Sequence, residues 1–173
     1  MKIIGLTGWS GSGKTSLLVR LIPLFTARGL RVSTLKHAHH AFDIDYPGKD
    51  SHAHRMAGAS EVLISSGRRF ALVHELRDED EWTLPQLLGR LAKVDLVVVE
   101  GFKRAPHPKI EVLRQANGKP PLYPGDVTIK AVAADFPVPD AGRPVLHLDD
   151  AAAIAAAALT YAVPVASVFP EVV

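Results

Sequence analysis

The sequence predicts a doubly wound α/β fold, in which a mostly parallel sheet is covered by helices on both faces. Four short segments, residues 2–6, 30–35, 94–99 and 129–134, are largely apolar, as strands buried on both faces are. Helix-like segments lie between them, which favours parallel strands joined by right-handed crossovers. A length of 173 residues is typical of one domain, so we expect a single domain over residues 1–173.

Apolar residues three and four positions apart predict helices over residues 15–27, 51–57, 84–91 and 151–162. Pro23 lies inside the first segment and predicts a kink or an end to regular hydrogen bonding there. Asp149 and Asp150 precede the alanine-rich last segment, so we expect an acidic N-cap. Proline, glycine and polar residues predict connecting loops at residues 38–49, 103–108 and 116–126.

Composition excludes several classes of protein. The absence of cysteine excludes a disulfide framework, a thiolate zinc site and a cysteine nucleophile. The formal net charge is only +2, and no basic patch is interleaved with aromatic residues, so nucleic-acid binding is not expected. No apolar run reaches the roughly 18 residues of a membrane span, and the first residues lack a signal-peptide pattern. We expect a cytoplasmic protein that binds no membrane.

A phosphate-binding loop is the clearest motif. Residues 8–15 read GWSGSGKT and match G-x-x-x-x-G-K-[ST] between a predicted strand and a predicted helix. Its glycines let backbone N–H groups face a phosphate, and the helix N-terminus adds partial positive charge. We expect Lys14 to reach the β- and γ-phosphates and the Thr15 hydroxyl to ligate Mg²⁺. The predicted nucleotide contacts here are Gly8, Trp9, Ser10, Gly11, Ser12, Gly13, Lys14, Thr15 and Ser16.

A carboxylate follows the most apolar predicted strand. Glu100 comes directly after residues 94–99, where it would lie beside the phosphate loop and hold Mg²⁺ or polarise a water molecule. Lys14 and Glu100 are therefore the predicted catalytic residues. The alternative is that Glu100 caps the following turn or pairs with Lys103. Asp95, at the other end of this segment, is predicted to be structural.

Histidine and aspartate are concentrated between His37 and His54, where five of the eight histidines lie. Such residues can ligate a transition metal, but no spacing here requires a closed zinc site. The favoured interpretation is that Lys36, His37, Asp45 and Lys49 contact nucleotide or substrate. Asp43, Asp45 or Asp50 would join the Mg²⁺ ligands, and Asp50 is the one predicted. A solvated polar loop is the remaining alternative.

These motifs, in this order and spacing, resemble the MobB family, molybdopterin-guanine dinucleotide biosynthesis protein B, over residues 1–114. The resemblance is carried by residues 8–15 together with TLKHAHH at 34–40, DIDYPGKDS at 43–51, AGA at 57–59 and VEGFK at 99–103. It implies a dimeric GTP-binding protein of the bacterial molybdenum-cofactor pathway with weak Mg²⁺-dependent GTPase activity. Such proteins assist the nucleotidyltransferase that joins GMP to molybdopterin. Their functional residues match here at Gly8, Gly11, Gly13, Lys14, Thr15, Asp45, Gly48, Lys49, Asp50, Glu100 and Gly101.

One position in the loop differs from related dimeric P-loop ATPases and GTPases. They often carry an activating lysine just after the first loop glycine, where this chain has Trp9. Fast hydrolysis is therefore not expected, and nucleotide binding is the main expected role.

A guanine-reading residue is predicted at the end of a late strand. The Asp135 carboxylate follows residues 129–134 and could accept hydrogen bonds from guanine, while adenine would present a lone pair to it. The familiar Asn-Lys-x-Asp motif is absent. The alternative is an aspartate that caps the turn before Phe136 and Pro137.

Two other functions stay open at this point. A small-molecule kinase would use Glu100 or an aspartate of residues 43–50 to activate a hydroxyl group, and a metallochaperone GTPase would use the cluster His37–His54, including His39 and His40. The apolar tail at residues 163–173 is predicted to pack against a second subunit of a homodimer.

Overall fold

A computed structural model describes residues 1–38 and 42–172. The described chain divides into two compact units: Met1–His37 with Leu84–Val173, and Ala38–Thr83. The expectation of one domain over residues 1–173 stays a prediction.

The elements follow the alternation that the apolar pattern predicts. In chain order they are β1 (Lys2–Thr7), α1 (Lys14–Thr26), β2 (Val32–Lys36), α2 (Asp50–Met56), β3 (Glu61–Ser65), β4 (Phe70–His74), α3 (Leu84–Leu88), β5 (Leu96–Glu100), β6 (Lys109–Leu113), β7 (Ile129–Ala134), β8 (Val145–His147), α4 (Ala151–Tyr161) and β9 (Val163–Pro164). All four predicted strands and all four predicted helices are present, with ends shifted by at most three residues. The helices of residues 1–38 and 42–172 include none long and apolar enough to cross a membrane.

The first unit is built on one sheet, in which the described chain contributes seven strands. Their order is β2-β5-β1-β6-β7-β8, and these neighbours all run parallel. The short β9 pairs antiparallel with the start of β1. Because β1 is flanked by β5 and β6, the carboxyl ends of these strands meet at one edge of the sheet. The predicted doubly wound, mostly parallel fold is confirmed.

Helices cover both faces of this sheet. On one face, α1 and α4 bury Leu17, Leu21, Phe25, Ile154 and Ala158 against apolar side chains of β1, β5, β6 and β7. On the other face, α3 packs with β1, β2 and β5 through Leu84 and Leu88. Asp150 caps α4 by accepting a 2.9 Å hydrogen bond from the Ala153 N–H, as predicted.

Pro23 does not end α1, which continues to Thr26. The Ala27 N–H donates a 2.9 Å hydrogen bond to the Pro23 carbonyl, so the last turn keeps its bonding. Leu21 and Phe25 on either side of Pro23 are fully buried. Their burial outweighs the single hydrogen bond that the proline ring removes.

The C-terminal tail packs within the chain. Val165 and Phe169 are buried in the cluster that contains Ile3 and Val97. The Val165 N–H donates a 3.0 Å hydrogen bond to the Met1 carbonyl. These two apolar side chains are therefore already covered, and a subunit contact through residues 163–173 stays a prediction that depends on the rest of the tail.

Strand β6 was not among the predicted strands, because charged residues interrupt its apolar pattern. Lys109 and Glu111 alternate with Ile110 and Val112, a pattern that normally indicates one solvated face. Both charged side chains are instead buried. Charged and apolar residues do alternate along β6, but residues 105–128 of the same unit cover the charged side chains.

The second unit contains α2 and the antiparallel hairpin of β3 and β4. Within this unit, Arg55 of α2 pairs with three carboxylates. Its guanidinium lies 2.8 Å from Asp43, 2.9 Å from Glu75 and 3.7 Å from Asp45. Hydrogen bonds to Glu75 and Asp43 raise the pKa of Arg55 above its ordinary value. The hairpin was not predicted from the sequence.

Candidate functional site

The phosphate loop joins β1 to α1 and has the backbone that its glycines allow. Gly8, Gly11 and Gly13 have φ values of +136°, +78° and +91°. At Gly8 a Cβ would also lie 2.6 Å from the Val112 carbonyl oxygen, so no side chain fits there. Ser12 is 2% exposed, and among the described residues its hydroxyl has no hydrogen-bond partner. The loop is thus shaped by close approach to β6 as well as by its own sequence.

Helix α1 begins at Lys14, within residues 8–15, and Gly13 is its N-cap residue. No side chain caps it, and its first turn contains no acidic residue. The first N–H groups of a helix carry partial positive charge and need an acceptor. An anion at this position would supply that acceptor.

The side chain of Lys14 folds back over the loop. Its Nζ donates to the Gly8 carbonyl at 3.1 Å and to the Trp9 carbonyl at 2.8 Å. Burial lowers the pKa of Lys14, Lys103 and Lys36 lower it further, and Glu100 opposes them. The ammonium is therefore held at the loop among other cations, where a polyanion would be bound strongly.

Thr15 and Glu100 meet at the carboxyl ends of β1 and β5. The Thr15 hydroxyl donates a 2.8 Å hydrogen bond to Glu100 Oε1, and Lys36 Nζ lies 3.5 Å from the same oxygen. Lys36 Nζ also lies 3.4 Å from Thr15 Oγ1. Glu100 is only 7% exposed. A hydroxyl and a carboxylate oxygen at this distance are a donor pair that suits Mg²⁺.

The residues after β2 and β5 lie at the same edge. The His37 N–H donates a 2.9 Å hydrogen bond to the Glu100 carbonyl, and the imidazole centroid is 4.7 Å from that of Phe102. A Cβ on Gly101 would lie 2.9 Å from His37 Cβ, so only glycine fits there. The structure thus brings Lys36 and His37 beside Glu100.

The exposed tip of the loop is held from two sides. Trp9 Nε1 donates a 2.7 Å hydrogen bond to the Pro120 carbonyl, and the Asn117 amide donates to the Ser10 carbonyl at 3.0 Å. On the other side, Lys103 Nζ lies 4.4 Å from the centroid of the Trp9 ring. These contacts fix Trp9 and Ser10 in place.

Asp135 lies at the end of β7 and contacts the chain after β6. Its Oδ1 accepts a 2.8 Å hydrogen bond from the Gln115 N–H, and its Oδ2 lies 3.7 Å from Arg114 Nη1. Both contacts are with the segment after β6 and not with the turn before Phe136 and Pro137, so they decide neither interpretation of Asp135. Guanine recognition by Asp135 stays a prediction.

Asp45, Lys49 and Asp50 belong to the second unit. Asp45 is 8% exposed and accepts hydrogen bonds from the Ser51 hydroxyl and the Tyr46 N–H at 2.9 and 3.0 Å. Lys49 is the N-cap residue of α2, and Asp50 is in its first turn. Asp45 therefore has a structural role there, while contact of these three residues with nucleotide or Mg²⁺ stays a prediction.

The histidine cluster is only partly described. His39 and His40 lie outside the described residues. Within residues 1–38 and 42–172, no group of three or more His, Asp or Glu side chains is arranged to hold a metal ion.

Most of this chain, including the glycine-rich loop and Glu100, is similar to known proteins. A family model described as MobB, Molybdopterin guanine dinucleotide synthesis protein B, matches residues 3–135. The chain belongs to the MobB family.

Two relatives and a solved structure agree with this membership. The chain is 43% identical over 139 residues to the molybdopterin-guanine dinucleotide biosynthesis adapter protein of Escherichia coli (strain K12), and the match covers 79% of each. The protein of the same name from Haemophilus influenzae (strain ATCC 51907 / DSM 11121 / KW20 / Rd) is 43% identical over 142 residues, covering 79% of this chain and 76% of that one. A crystal structure of molybdopterin-guanine biosynthesis protein B (mobB) has a TM-score of 0.70 at 30% identity, covering 91% of this chain and 98% of the other.

For this MobB-family chain, sequence reasoning missed three residues at the phosphate loop: Lys103, Arg114 and Asn117. Each lies just beyond the end of β5 or β6. Their position after those strands was the available signal, since residues that follow parallel strands gather at the edge where ligands bind. Lys103 and Asn117 lie in residues 103–108 and 116–126, whose composition indicates surface connections, and this obscured the signal for those two residues.

Proposed function

We propose that this chain binds GTP with Mg²⁺ at residues 8–15 and acts as an adapter in the synthesis of molybdopterin guanine dinucleotide. The observation that carries the nucleotide half is the juxtaposition of Thr15 with Glu100 beside a glycine-rich loop. That arrangement combines phosphate-binding backbone, a lysine and two oxygen donors for Mg²⁺ within one edge of a parallel sheet.

Membership of the MobB family supports the adapter half, since relatives at 43% identity are adapter proteins of this synthesis by name. The partners that we propose are a molybdopterin-binding nucleotidyltransferase, or molybdopterin itself, and a second copy of the chain. We place the protein in the cytoplasm, where such an enzyme would act.

Hydrolysis is proposed to be slow. Trp9 occupies the loop position after Gly8, and its ring and indole N–H are already engaged by Lys103 and Pro120. The bound triphosphate would therefore serve chiefly as a recognised ligand, with Lys14 and Glu100 supporting weak Mg²⁺-dependent cleavage.

The test is calorimetric titration of the full chain with GTP and then ATP, each with Mg²⁺. We expect GTP to bind at least about tenfold more tightly than ATP, a difference of about 1.4 kcal/mol. Lys14→Ala should abolish binding of both. Lys93→Ala is the matched control, because Lys93 is an exposed lysine between α3 and β5.

Equal binding of the two nucleotides, or a preference for ATP, would contradict the proposal. A phosphorylated small molecule formed alongside nucleoside diphosphate would indicate a kinase instead. The adapter role is tested separately by asking whether wild-type chain, but not Lys14→Ala, raises the yield of molybdopterin guanine dinucleotide in a reaction supplied with the nucleotidyltransferase. No change in yield would overturn that role.

A further inference from the structure

Arg114 is a cation at the positive end of a helix. It follows β6 directly, and its guanidinium lies against Gly13, the N-cap residue of α1. A Cβ added to Gly13 would lie 2.8 Å from Arg114 Nε and 3.2 Å from Nη2. A guanidinium beside uncapped helix N–H groups is repelled by their partial charge, and Lys14 adds a second cation in the first turn.

The repulsion is only partly offset within the described chain. Asp135 Oδ2 lies 3.7 Å from Arg114 Nη1, while Asp135 Oδ1 is occupied by the Gln115 N–H. An anion between the guanidinium and the helix N-terminus would accept hydrogen bonds from both. Glycine at position 13 leaves the guanidinium room to approach this point, because any Cβ would collide with it.

We infer that Arg114 is a further nucleotide ligand, which binds the α- and β-phosphates, and that Asp135 positions its guanidinium. This inference rests on the proposed nucleotide site. β5 and β6 flank β1 on opposite sides, so Arg114 approaches the loop from the side opposite to Glu100 and Lys36. Since Thr15 and Glu100 mark the Mg²⁺ and γ-phosphate side, Arg114 contacts the phosphates nearer the nucleoside.

The placement distinguishes Arg114 from a ligand of the γ-phosphate. Arg114→Ala should weaken GTP and GDP binding by the same factor, about tenfold or more, as expected for the loss of a charge-assisted hydrogen bond. Arg114→Lys should restore affinity only in part, because an ammonium lacks the planar fork of donors. Arg28→Ala is the matched control, since this exposed arginine lies beyond the other end of α1.

The measurement is calorimetry with GTP and with GDP, each with Mg²⁺, on the full chain. Thermal unfolding without nucleotide checks that each variant is folded. If Arg114→Ala is not folded, Arg114→Gln takes its place. Unchanged affinity in a folded Arg114 variant, or a loss of affinity for GTP alone, would overturn the assignment of Arg114. The proposed function would still stand in that case, provided that the wild-type chain binds GTP. Failure of the wild-type chain to bind any nucleotide would overturn both.

The role of Asp135 has its own readout. If Asp135 positions Arg114, Asp135→Asn should lower the affinities for GTP and ATP by the same factor. In a chain that already carries Arg114→Ala, the same change should lower neither affinity further. Asp135→Glu should recover part of the affinity. A change in the GTP/ATP ratio would instead assign Asp135 to guanine recognition, and losses that simply add in the double variant would overturn the positioning role.

Discussion

Thr15 and Glu100 are joined by a 2.8 Å hydrogen bond although 85 positions separate them in the chain. The register of the sheet explains this proximity, because Leu6 of β1 lies opposite Glu100 of β5. The loop that follows β1 therefore turns back over the last residue of β5. Lys36 reaches the same carboxylate from β2, which pairs with the other edge of β5.

Glu100→Gln should weaken the Mg²⁺ dependence of nucleotide binding. The amide oxygen can still accept from the Thr15 hydroxyl, but the negative charge that attracts the cation is lost. We expect Mg²⁺ affinity of the GTP complex to fall roughly 10- to 100-fold. Calorimetric titration of GTP with Mg²⁺ and with a chelator measures the effect. Glu171→Gln, the same change at an exposed position, should bind as the wild type does. If the ratio of the GTP affinity with Mg²⁺ to that with chelator is the same in Glu100→Gln as in the wild type, Glu100 does not bind the metal ion.

Alanine substitution at Gly11 and at Gly8 should separate two reasons for glycine in the loop, backbone strain and lack of space for a side chain. At Gly11, φ is +78° and an added Cβ would have no atom within 4 Å, so Gly11→Ala should cost about 1 kcal/mol of unfolding free energy through backbone strain alone. At Gly8 the methyl group would also meet the Val112 carbonyl at 2.6 Å. The additional overpacking should cost about 1–3 kcal/mol more. Urea unfolding without nucleotide compares the two variants, and equal midpoints would refute the steric argument.

His107 should make the fold sensitive to acid. It is fully buried, and neither ring nitrogen has a hydrogen-bond partner within the described residues. Burial lowers the pKa of His107 from 6.5 to about 3, with Lys109 contributing and Asp126 opposing. The unfolded chain therefore binds a proton between pH 6.5 and 3 that the folded chain excludes, so stability should fall as pH falls through this range. The maximum slope is about 1.4 kcal/mol per pH unit.

His107→Gln removes the titrating group, and so its unfolding free energy should depend less steeply on pH between about 6 and 4 than that of the wild type. Urea unfolding at several pH values measures both slopes. Measurements above about pH 7, where His107 is neutral in both states, supply the baseline for each protein. Parallel slopes in the acid range would show that His107 is not buried in its neutral form.

The ion pair between the buried Lys109 and the partly exposed Asp126 should lose different amounts of stability when one or the other member is replaced. Lys109 Nζ donates to the Ala105 carbonyl and the Thr128 hydroxyl and lies 3.6 Å from Asp126 Oδ2. Asp126→Asn leaves a buried ammonium without its counter-ion and should cost about 3 kcal/mol of unfolding free energy. Lys109→Met fills a similar volume without charge and leaves a carboxylate that solvent reaches, so it should cost less. Urea unfolding at neutral pH ranks the two variants, and the reverse order would contradict this account.

The phosphate loop and the fold class were predictable because their signals are local. A strand, a glycine-rich loop and a helix follow one another between Lys2 and Thr26, and each reports its own backbone preference. Glu100 was predictable for a similar reason, since a carboxylate after an apolar strand lies at the ligand-binding edge of a parallel sheet. The MobB resemblance arose from the same contiguous motifs.

Strand β6 was unpredictable because burial of a charge depends on partners distant in sequence. The Glu111 carboxylate accepts hydrogen bonds from the Leu122 and Tyr123 N–H groups at 2.7 and 2.8 Å. Desolvation raises the pKa of Glu111, and these bonds oppose it. Nothing in the pattern of β6 indicates that residues 122 and 123 return to cover it.

By itself, the sequence determined the backbone of the glycine-rich loop, because the dihedral freedom of Gly8, Gly11 and Gly13 is a property of one short segment. Only the tertiary structure decided what surrounds that segment. Arg114 meets Gly13, and Lys36 meets Glu100, because the strand order brings β5 and β6 to the two sides of β1 and β2 to the far side of β5. Strand order is a property of the whole sheet, and no local preference encodes it.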